Sequence, residues 1–448
     1  MRQIKLNANE LSSVLLGLAE RENVCILDSC GVGHLGSHLM IAGIRPVEAM
    51  EITGDPDDVL SQFEQQLTEG HALIFTVSYD LGLKLESMKV RTAAEPGLVE
   101  PDIFVSRFDT LVVHDYSTGS TFLTGNEKTL DESMSKLERG RLEDKRNNNV
   151  SEVESNFTPS EYIDSVEVVK EYIRRGDTYQ TNLTQQLRVK LAAGLSPETI
   201  FARLRREHPA PFSAFIKRKD SIVISASPER FLRISKRRIS ASPIKGTRPR
   251  GATESEDSAL RTELASSRKD RAENTMIVDL LRNDLGRVCE FGSVEVERLC
   301  EIEEHPTLFH LVSTINGQLR TGVTFSDVIR ALFPCGSITG APKIRTMEII
   351  DEIEPVKRGL SMGAIGYYIP ELGFDGLQPG LDLSVAIRTM VVRGRDAVFN
   401  VGGGITIDSD GESEYEESLI KAQALLGALG NKQEIRLSNL QENTGGKE

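Results

Sequence analysis

Leu381, Leu383, Val385 and Ile387 alternate with Asp382, Ser384, Ala386 and Arg388, and a period of two marks a strand with one aliphatic face. That reading turns Arg388 away from the aliphatic side. Helical spacing is as plain elsewhere. Glu161 to Arg175 repeats its apolar residues at helical intervals and stops at Gly176, as a helix end should. Pro342 suits the first turn of a helix running to about Ile353. Short β-like runs, Val24-Cys25-Ile26-Leu27 and Ala72-Leu73-Ile74-Phe75 among them, occur as well. Strands and helices therefore share one chain without an internal repeat, the pattern of an α+β protein.

The 448 residues are enough for a large core, in one large domain or two to three ordinary ones. Residues 1–124 mix β-like and helical runs and form an N-terminal subdomain. Composition changes over 125–160: Glu138 to Ser155 is rich in Glu, Lys, Arg, Asn and Ser, with little to bury, as in a polar linker or surface excursion. Residues 161–430 form the main helix-and-strand domain, and 431–448 is a polar tail expected to fray.

A net charge of -14 argues against a nucleic-acid partner, which needs a basic surface. It leaves room for a small anion in a local basic pocket. No apolar run approaches the length of a membrane span, and Met1 to Asn7 lacks the apolar core of a secretion signal. Five cysteines, at 25, 30, 289, 300 and 335, have no metal-site spacing. Reduced thiols and a cytoplasmic location are the simplest expectation.

Candidate chemistry starts at Lys245, in Pro243-Ile244-Lys245-Gly246-Thr247-Arg248-Pro249-Arg250-Gly251. Arg248 and Arg250 surround it with like charge, and a lysine so placed can be a nucleophile as well as a solvated cation in a basic turn. Two carboxylate pairs, Asp270 with Glu273 and Glu414 with Glu417, each lie three residues apart at the start of a helical run. That spacing puts each pair on one helical face. Brought together, the two faces would form an oxygen-rich site for a hard cation such as Mg²⁺. Taken singly, either pair is also an ordinary response to a helix macrodipole.

Lys421 follows Glu417 by four residues, either an anion contact or a surface Glu–Lys pair. Gly402, Gly403 and Gly404 follow a strand-like run and could bring backbone amides close to a carboxylate, or simply turn the chain. Glu229, after Ser227-Pro228, would act as a general acid if desolvated and would otherwise pair with Arg230. His310 sits in an apolar run, where a histidine is commonly a satisfied core residue. Gly31-Val32-Gly33-His34-Leu35-Gly36 matches a dinucleotide fingerprint in letters, but Leu39 to Pro46 reads as extended where the fingerprint needs a helix. Gly336 to Lys343 lacks the ending of a phosphate loop.

From about residue 157 to 430, and more faintly before it, the chain resembles the chorismate-utilising enzymes. The resemblance rests on blocks in family order: Asp177 to Leu183, Ser227 to Phe231, Pro243 to Gly251, Glu273-Asn274 through Arg282-Asn283-Asp284, His310-Leu311-Val312, Gly340 to Lys343, and Gly402 to Gly404. It implies a large mixed or antiparallel β-sandwich surrounded by helices, with the N-terminal subdomain packed on the catalytic part. It also implies Mg²⁺ held directly by Glu273 and Glu417, with Asp270 and Glu414 acting through water. The ring carboxylate of chorismate would meet the metal, Lys421 and the amides of Gly402 to Gly404. Arg388 would bind the enolpyruvyl carboxylate. Thr247, Ser337 and His310 would line the ring, and Glu229 would protonate the departing C4 hydroxyl.

Two positions separate the branches of that family. Gln180 stands where the isochorismate- and salicylate-forming branches place a water-activating lysine. The chain reads Pro-Ile-Lys-Gly-Thr where anthranilate synthases read Pro-Ile-Ala-Gly-Thr, so Lys245 resembles the nucleophile of the aminodeoxychorismate-forming branch. The implied reaction is amination of chorismate at C4 through a covalent Lys245 adduct, for p-aminobenzoate and folate supply. Ammonia would come from a separate glutamine amidotransferase subunit. The rivals are anthranilate formation and a non-catalytic chorismate-binding subunit. The stretch around Leu27-Asp28-Ser29 resembles the region that holds tryptophan in some family members.

Overall fold

The computed structural model describes residues 1–33, 36, 38–68, 70–88, 99–137, 142, 153–305 and 308–430. Two large antiparallel sheets face each other. The first runs, edge to edge, through Arg2–Ile4, Ser120–Gly125, Thr110–Asp115, Leu39–Ile44, Val24–Asp28, Phe212–Lys217, Ile222–Ser227, Thr389–Arg393, Asp396–Ile405, Gln180–Lys190 and Gly340–Ala341, with Val153–Ser155 beside Gln180–Lys190. The second runs through Ile244–Pro249, Leu308–Gln318, Arg238–Ser242, Arg230–Ser235, Gly380–Val385, Ala364–Ile369, Ala72–Val77, Ile103–Phe108 and Glu48–Ile52, with Glu295–Glu304 beside Leu308–Gln318.

Between the sheets lies a core that includes Ile41, Ile74, Phe104, Phe108, Leu111, Ile216, Val223 and Ile365. Helices cover the outer faces, as one-sided apolar stripes require. Leu11, Phe201 and Leu425 pack on the first sheet, and Phe63, Ile277 and Ile329 on the second. Each such side chain, fully buried, contributes about 1.5–3 kcal/mol.

The strand expected at 381–387 is Gly380–Val385. Its polar alternates are not exposed: Asp382 is buried against Arg230, Nε to Oδ1 2.9 Å, and the Ser384 hydroxyl donates to the Ile365 carbonyl at 3.2 Å. The strand ends before Ile387, so Arg388 lies in a connection and not on a strand face. Its backbone is left-handed, with φ 47°, unusual for a residue with a side chain.

The helix expected over 161–175 is Pro159–Arg174, started by a Thr158–Glu161 capping box. Pro342 is the N-cap of Lys343–Ile353 rather than its first-turn residue. Leu39–Ile44 is a strand, so the Gly31 segment has no dinucleotide helix behind it.

Residues 1–124 join the rest through strand pairing. Val24–Asp28 pairs with Phe212–Lys217, and Ala72–Val77 with Ala364–Ile369. Within 125–160 there is a helix, Glu127–Leu137, that buries Leu130 and Leu137, and the short strand Val153–Ser155. Most of the polar stretch between them, and the tail 431–448, lie outside the described residues. No helix among the described residues is long and apolar enough to cross a membrane.

Candidate active site

The chain crosses between the sheets at two adjacent places, and each crossing carries a candidate residue. Ser227 ends a strand of the first sheet and Arg230 begins one of the second, which leaves Glu229 between them. Pro228, without an N–H, suits the break. Val385 ends a strand of the second sheet and Thr389 begins one of the first, leaving Arg388 between them. The crossings are stitched together: the Val385 amide donates to Glu229 O at 3.0 Å, the Ser227 hydroxyl to Val385 O at 2.6 Å, and the Ala226 amide to Arg388 O at 3.0 Å.

Glu229 is 5% exposed, and its Oε1 is buried without a hydrogen-bond partner. Burial pushes its carboxyl up to about 7, against the opposing pull of Ser337, the Lys245 ammonium and the Ile244 amide. Lys245 is half-buried on the strand Ile244–Pro249, and its Nζ donates to the Ser337 carbonyl at 3.3 Å. Ser337 is buried in the short 3₁₀ turn Gly336–Ile338. The acid and the amine therefore meet at one residue.

The basic turn expected around Lys245 is a strand, and its arginines are engaged elsewhere. Arg248 pairs with Glu263 at 2.9 Å and Asp270 at 3.2 Å, and Arg250 with Asp257 at 2.6 Å. The charges felt alongside Lys245 are instead those of Glu229, Glu273 and Glu417. Like-charge crowding by the two arginines is thus overturned as the reason for a reactive lysine. Gly246, at φ 85°, is required here. A Cβ on it would stand 2.8 Å from Leu264 and 2.9 Å from Asp270, where the second-sheet helices press on the strand.

Thr247 and His310 are opposite each other on paired strands, with Thr247 Oγ1 2.9 Å from His310 Nδ1. His310 is buried, and its ring stands 5.3 Å from that of His305.

The helices Arg268–Gly286 and Gly411–Ala428 start at this place and carry the two carboxylate pairs. Burial raises the Glu273 carboxyl; Lys245 and Lys269 oppose that rise, while Asp270 and Glu414 add to it. Glu414 is buried and accepts from the Ser409 hydroxyl at 2.6 Å. Burial would raise Glu417 too, but the ammoniums of Lys421, Lys269 and Lys245 outweigh it and hold the carboxyl low. Lys421 Nζ stands 2.7 Å from Glu417 and donates to Gly402 O at 3.0 Å.

Gly402 to Gly404 are not a turn. They lie inside the strand Asp396–Ile405, opposite Thr184, Leu183 and Asn182. The neighbouring strand Thr389–Arg393 reaches only to Val398, so that edge is open beyond it. The Asn400 amide donates to Ser361 Oγ, away from Gln180–Lys190. By the period of two, the amides of Gly402 and Gly404 face the same open side. A Cβ on Gly403 would sit 3.1 Å from Glu414 Oε2, 3.4 Å from Lys421 Nζ and 3.8 Å from Glu417 Oε1. Gln180 lies over Gly404, its Nε2 2.1 Å from where a Cβ would be, with its Oε1 buried and unpartnered.

These residues can suit a divalent cation: two carboxylates converge on the cradle at Gly403, and Glu273 feels Glu414 and Asp270 as like charges. As placed, though, no three His, Cys, Asp or Glu side chains among the described residues are close enough to hold a metal. Lys269 Nζ, 4.0 Å from Glu414 Oε1, bridges the two helices instead. Sequence reasoning passed over Lys269 and Ser409; the signal for Lys269 was a cation directly before Asp270 at the same helix start.

Arg388 lies on the crossing beside that of Glu229. Burial lowers the pKa of its guanidinium, and no carboxylate pairs with it among the described residues. A cation so placed suits an incoming anion. The Leu27-Asp28-Ser29 stretch is elsewhere, on a cavity of about 380 Å³ between the sheets that Phe212, Tyr367 and Asp382 also line. Asp28 is already held there by Arg205 at 2.7 Å and Tyr116 at 2.8 Å.

A buried acid, a lysine and facing carboxylates lie where two sheets exchange strands, with an arginine that no carboxylate pairs with among the described residues on the adjacent crossing, an arrangement that suits an enzyme centre for an anionic substrate. The family described as chorismate binding enzyme matches residues 39–427. Aminodeoxychorismate synthase component 1 of Escherichia coli (strain K12) is 38% identical over 385 residues, covering 86% of this chain and 82% of that protein. An anthranilate synthase component 1 of Haloarcula marismortui is 39% identical over 375 residues, covering 79% and 74%. The crystal structure of anthranilate synthase component I from Streptococcus pneumoniae TIGR4 superposes with a TM-score of 0.76 at 26% identity, covering 88% of this chain and 93% of that one. The chain belongs to the chorismate binding enzyme family.

Proposed function

We propose that this enzyme aminates chorismate at C4 as the first component of an aminodeoxychorismate synthase, with ammonia supplied by a glutamine-hydrolysing partner. One observation carries the reading: Glu229, held near neutrality by burial, and the Lys245 amine converge on Ser337. Lys245 Nζ forms a bond to ring C2, the C1=C2 and C5=C6 double bonds shift to C1=C6 and C4=C5, and the C4–O bond breaks. Glu229 gives its proton to the departing hydroxyl, which leaves as water. Ammonia then bonds at C4, both double bonds return to C1=C2 and C5=C6, and the C2–N bond breaks to release Lys245 as its amine, giving 4-amino-4-deoxychorismate. Splitting one hard displacement into two easier ones is what a covalent intermediate achieves.

Arg388 would take the enolpyruvyl carboxylate, and Thr247 with His310 would border the ring. A magnesium ion would be held by Glu273 and Glu417, with Asp270 and Glu414 acting through water, and would supply charge neutralisation at the ring carboxylate. Lys421 and the amides of Gly402 and Gly404 would support the same anion.

Anthranilate formation is the second reading, favoured by the equal similarity of the archaeal anthranilate synthase component. Incubation with chorismate, Mg²⁺ and ammonium, followed by mass spectrometry, separates the two: the expected product is 4-amino-4-deoxychorismate, and direct release of fluorescent anthranilate would overturn the assignment. An intact-mass adduct on the wild type should vanish in Lys245→Ala. The cavity at Asp28 and Ser29 is proposed to take an amino acid; calorimetric titration with tryptophan giving no heat would dispose of that.

A further inference from the structure

We infer that Glu354 and Arg358, which belong to none of the motifs above, form a buried clamp that positions Ser337 and the Gln180 strand for the reaction. Their side chains are 3% and 1% exposed. Arg358 donates to Glu354 through Nε at 2.9 Å and Nη2 at 2.7 Å. The same guanidinium donates to Ile338 O at 3.0 Å and Asn182 O at 2.6 Å. Glu354 Oε1 accepts from the amide and hydroxyl of Thr184 at 2.8 and 2.9 Å. Tyr79 closes the space, with its ring centroid 4.8 Å from the guanidinium.

Both backbone segments tied by this pair carry site residues. Ile338 follows Ser337, whose carbonyl receives Lys245. Asn182 and Thr184 lie just beyond Gln180, opposite Gly404 and Gly402. The Asn182 amide also donates to Thr339 O at 2.8 Å, so turn and strand are locked at consecutive points. Arg358 bridges them as a planar fork that lysine cannot reproduce.

A buried ion pair is weak evidence for stability, because well-packed apolar side chains often do as well. What apolar side chains cannot do is satisfy Ile338 O, Asn182 O and the Thr184 amide at fixed distances. The pair thus acts on the reaction through Ser337 and the strand; neither residue touches the reacting atoms. The role in turnover rests on the proposed amination, whereas the clamp itself can be tested without it.

The test uses Glu354→Gln/Arg358→Gln, which leaves no lone buried charge, with Arg358→Lys as a second variant should the first not fold. Competitive labelling with acetic anhydride, read by peptide mass spectrometry, compares Lys245 with the exposed Lys219. Relative labelling of Lys245 is expected to rise about 2- to 10-fold, the equivalent of one lost hydrogen bond. With chorismate and ammonium, kcat is expected to fall about 10- to 100-fold while KM stays within about twofold. Unchanged Lys245 labelling in a folded variant overturns the clamp, as does a rise shared by all lysines in step with a lower thermal midpoint. A wild type that fails to turn over chorismate ends the amination reading, and the labelling result still decides the clamp.

Discussion

Glu229 has one buried oxygen without a hydrogen-bond partner, and its preference for the protonated form follows from that burial. Folding favours its neutral form, since burial lifts the carboxyl from 4.5 to about 7. The folded state therefore binds more protons than the unfolded state between those values. The stabilisation from this group is complete below about 4.5 and is lost as pH rises through about 7, a change on the order of 3 kcal/mol. Glu229→Gln, neutral throughout, should show a thermal midpoint that gains on the wild type as pH goes from 5 to 8. As a general acid, Glu229 must carry a proton, so kcat/KM, which follows ionisation in the free enzyme, should decline above about pH 7. Glu229→Gln should cost about 10²- to 10⁴-fold in kcat and abolish that decline. A variant with wild-type kcat and the same alkaline limb would refute the assignment. Both Glu229 and Lys245 could be picked out from their neighbours in the chain. The surroundings of Lys245 could not, because Asp257, Glu263 and Asp270, which draw off the two arginines, come from helices further along.

At the scale of elements, the glycine strand decides how closely the helix Gly411–Ala428 can approach the first sheet. Two of its residues, Gly402 and Gly403, should respond differently to alanine. A Cβ at Gly402 would meet Leu183 O at 1.9 Å, a backbone atom that cannot retreat, so Gly402→Ala should destabilise by about 1–3 kcal/mol. At Gly403 the neighbours are the ends of Glu414, Lys421 and Glu417, which can shift. Gly403→Ala should therefore fold nearly as well as wild type but lose Mg²⁺ affinity, seen as a raised half-saturating Mg²⁺ concentration for turnover. Equal Mg²⁺ dependence in the two proteins would detach the metal from this cradle. The helices that carry the carboxylates were readable from spacing, whereas their caps, Ser267 and Asp410, were shown by the structure. That the glycines form a strand was not, because glycine has no side chain to show a period of two and reads equally as a turn. Arg388 was misplaced for a related reason: alternation at 381–388 continues past Val385, where the chain leaves one sheet for the other.

Across the whole molecule, composition marks a change near residue 125 but hydrogen bonding does not. Strand partners far apart in sequence close both sheets, and such long-range pairings leave little trace in local pattern. The guanidinium of Arg218, after the first-sheet strand Phe212–Lys217, reaches Thr76 Oγ1 of the second sheet at 2.7 Å and Glu100 at 2.5 Å. Residues 161–430 alone would leave Phe212–Lys217 without Val24–Asp28, and Ala364–Ile369 without Ala72–Val77. They would also lose Ile41, Ile74, Phe104, Phe108 and Leu111 from the core between the sheets. At about 1.5–3 kcal/mol for each buried side chain, that loss is comparable to the roughly 5–15 kcal/mol holding a typical protein folded. The fragment is expected to show no cooperative thermal transition by circular dichroism and to aggregate through its bare strand edges. Co-expression with residues 1–137 should restore both the transition and chorismate turnover. A fragment 161–430 that melts cooperatively and turns over chorismate by itself would show that the shared sheets are dispensable, and that the first 124 residues serve the cavity at Asp28 alone.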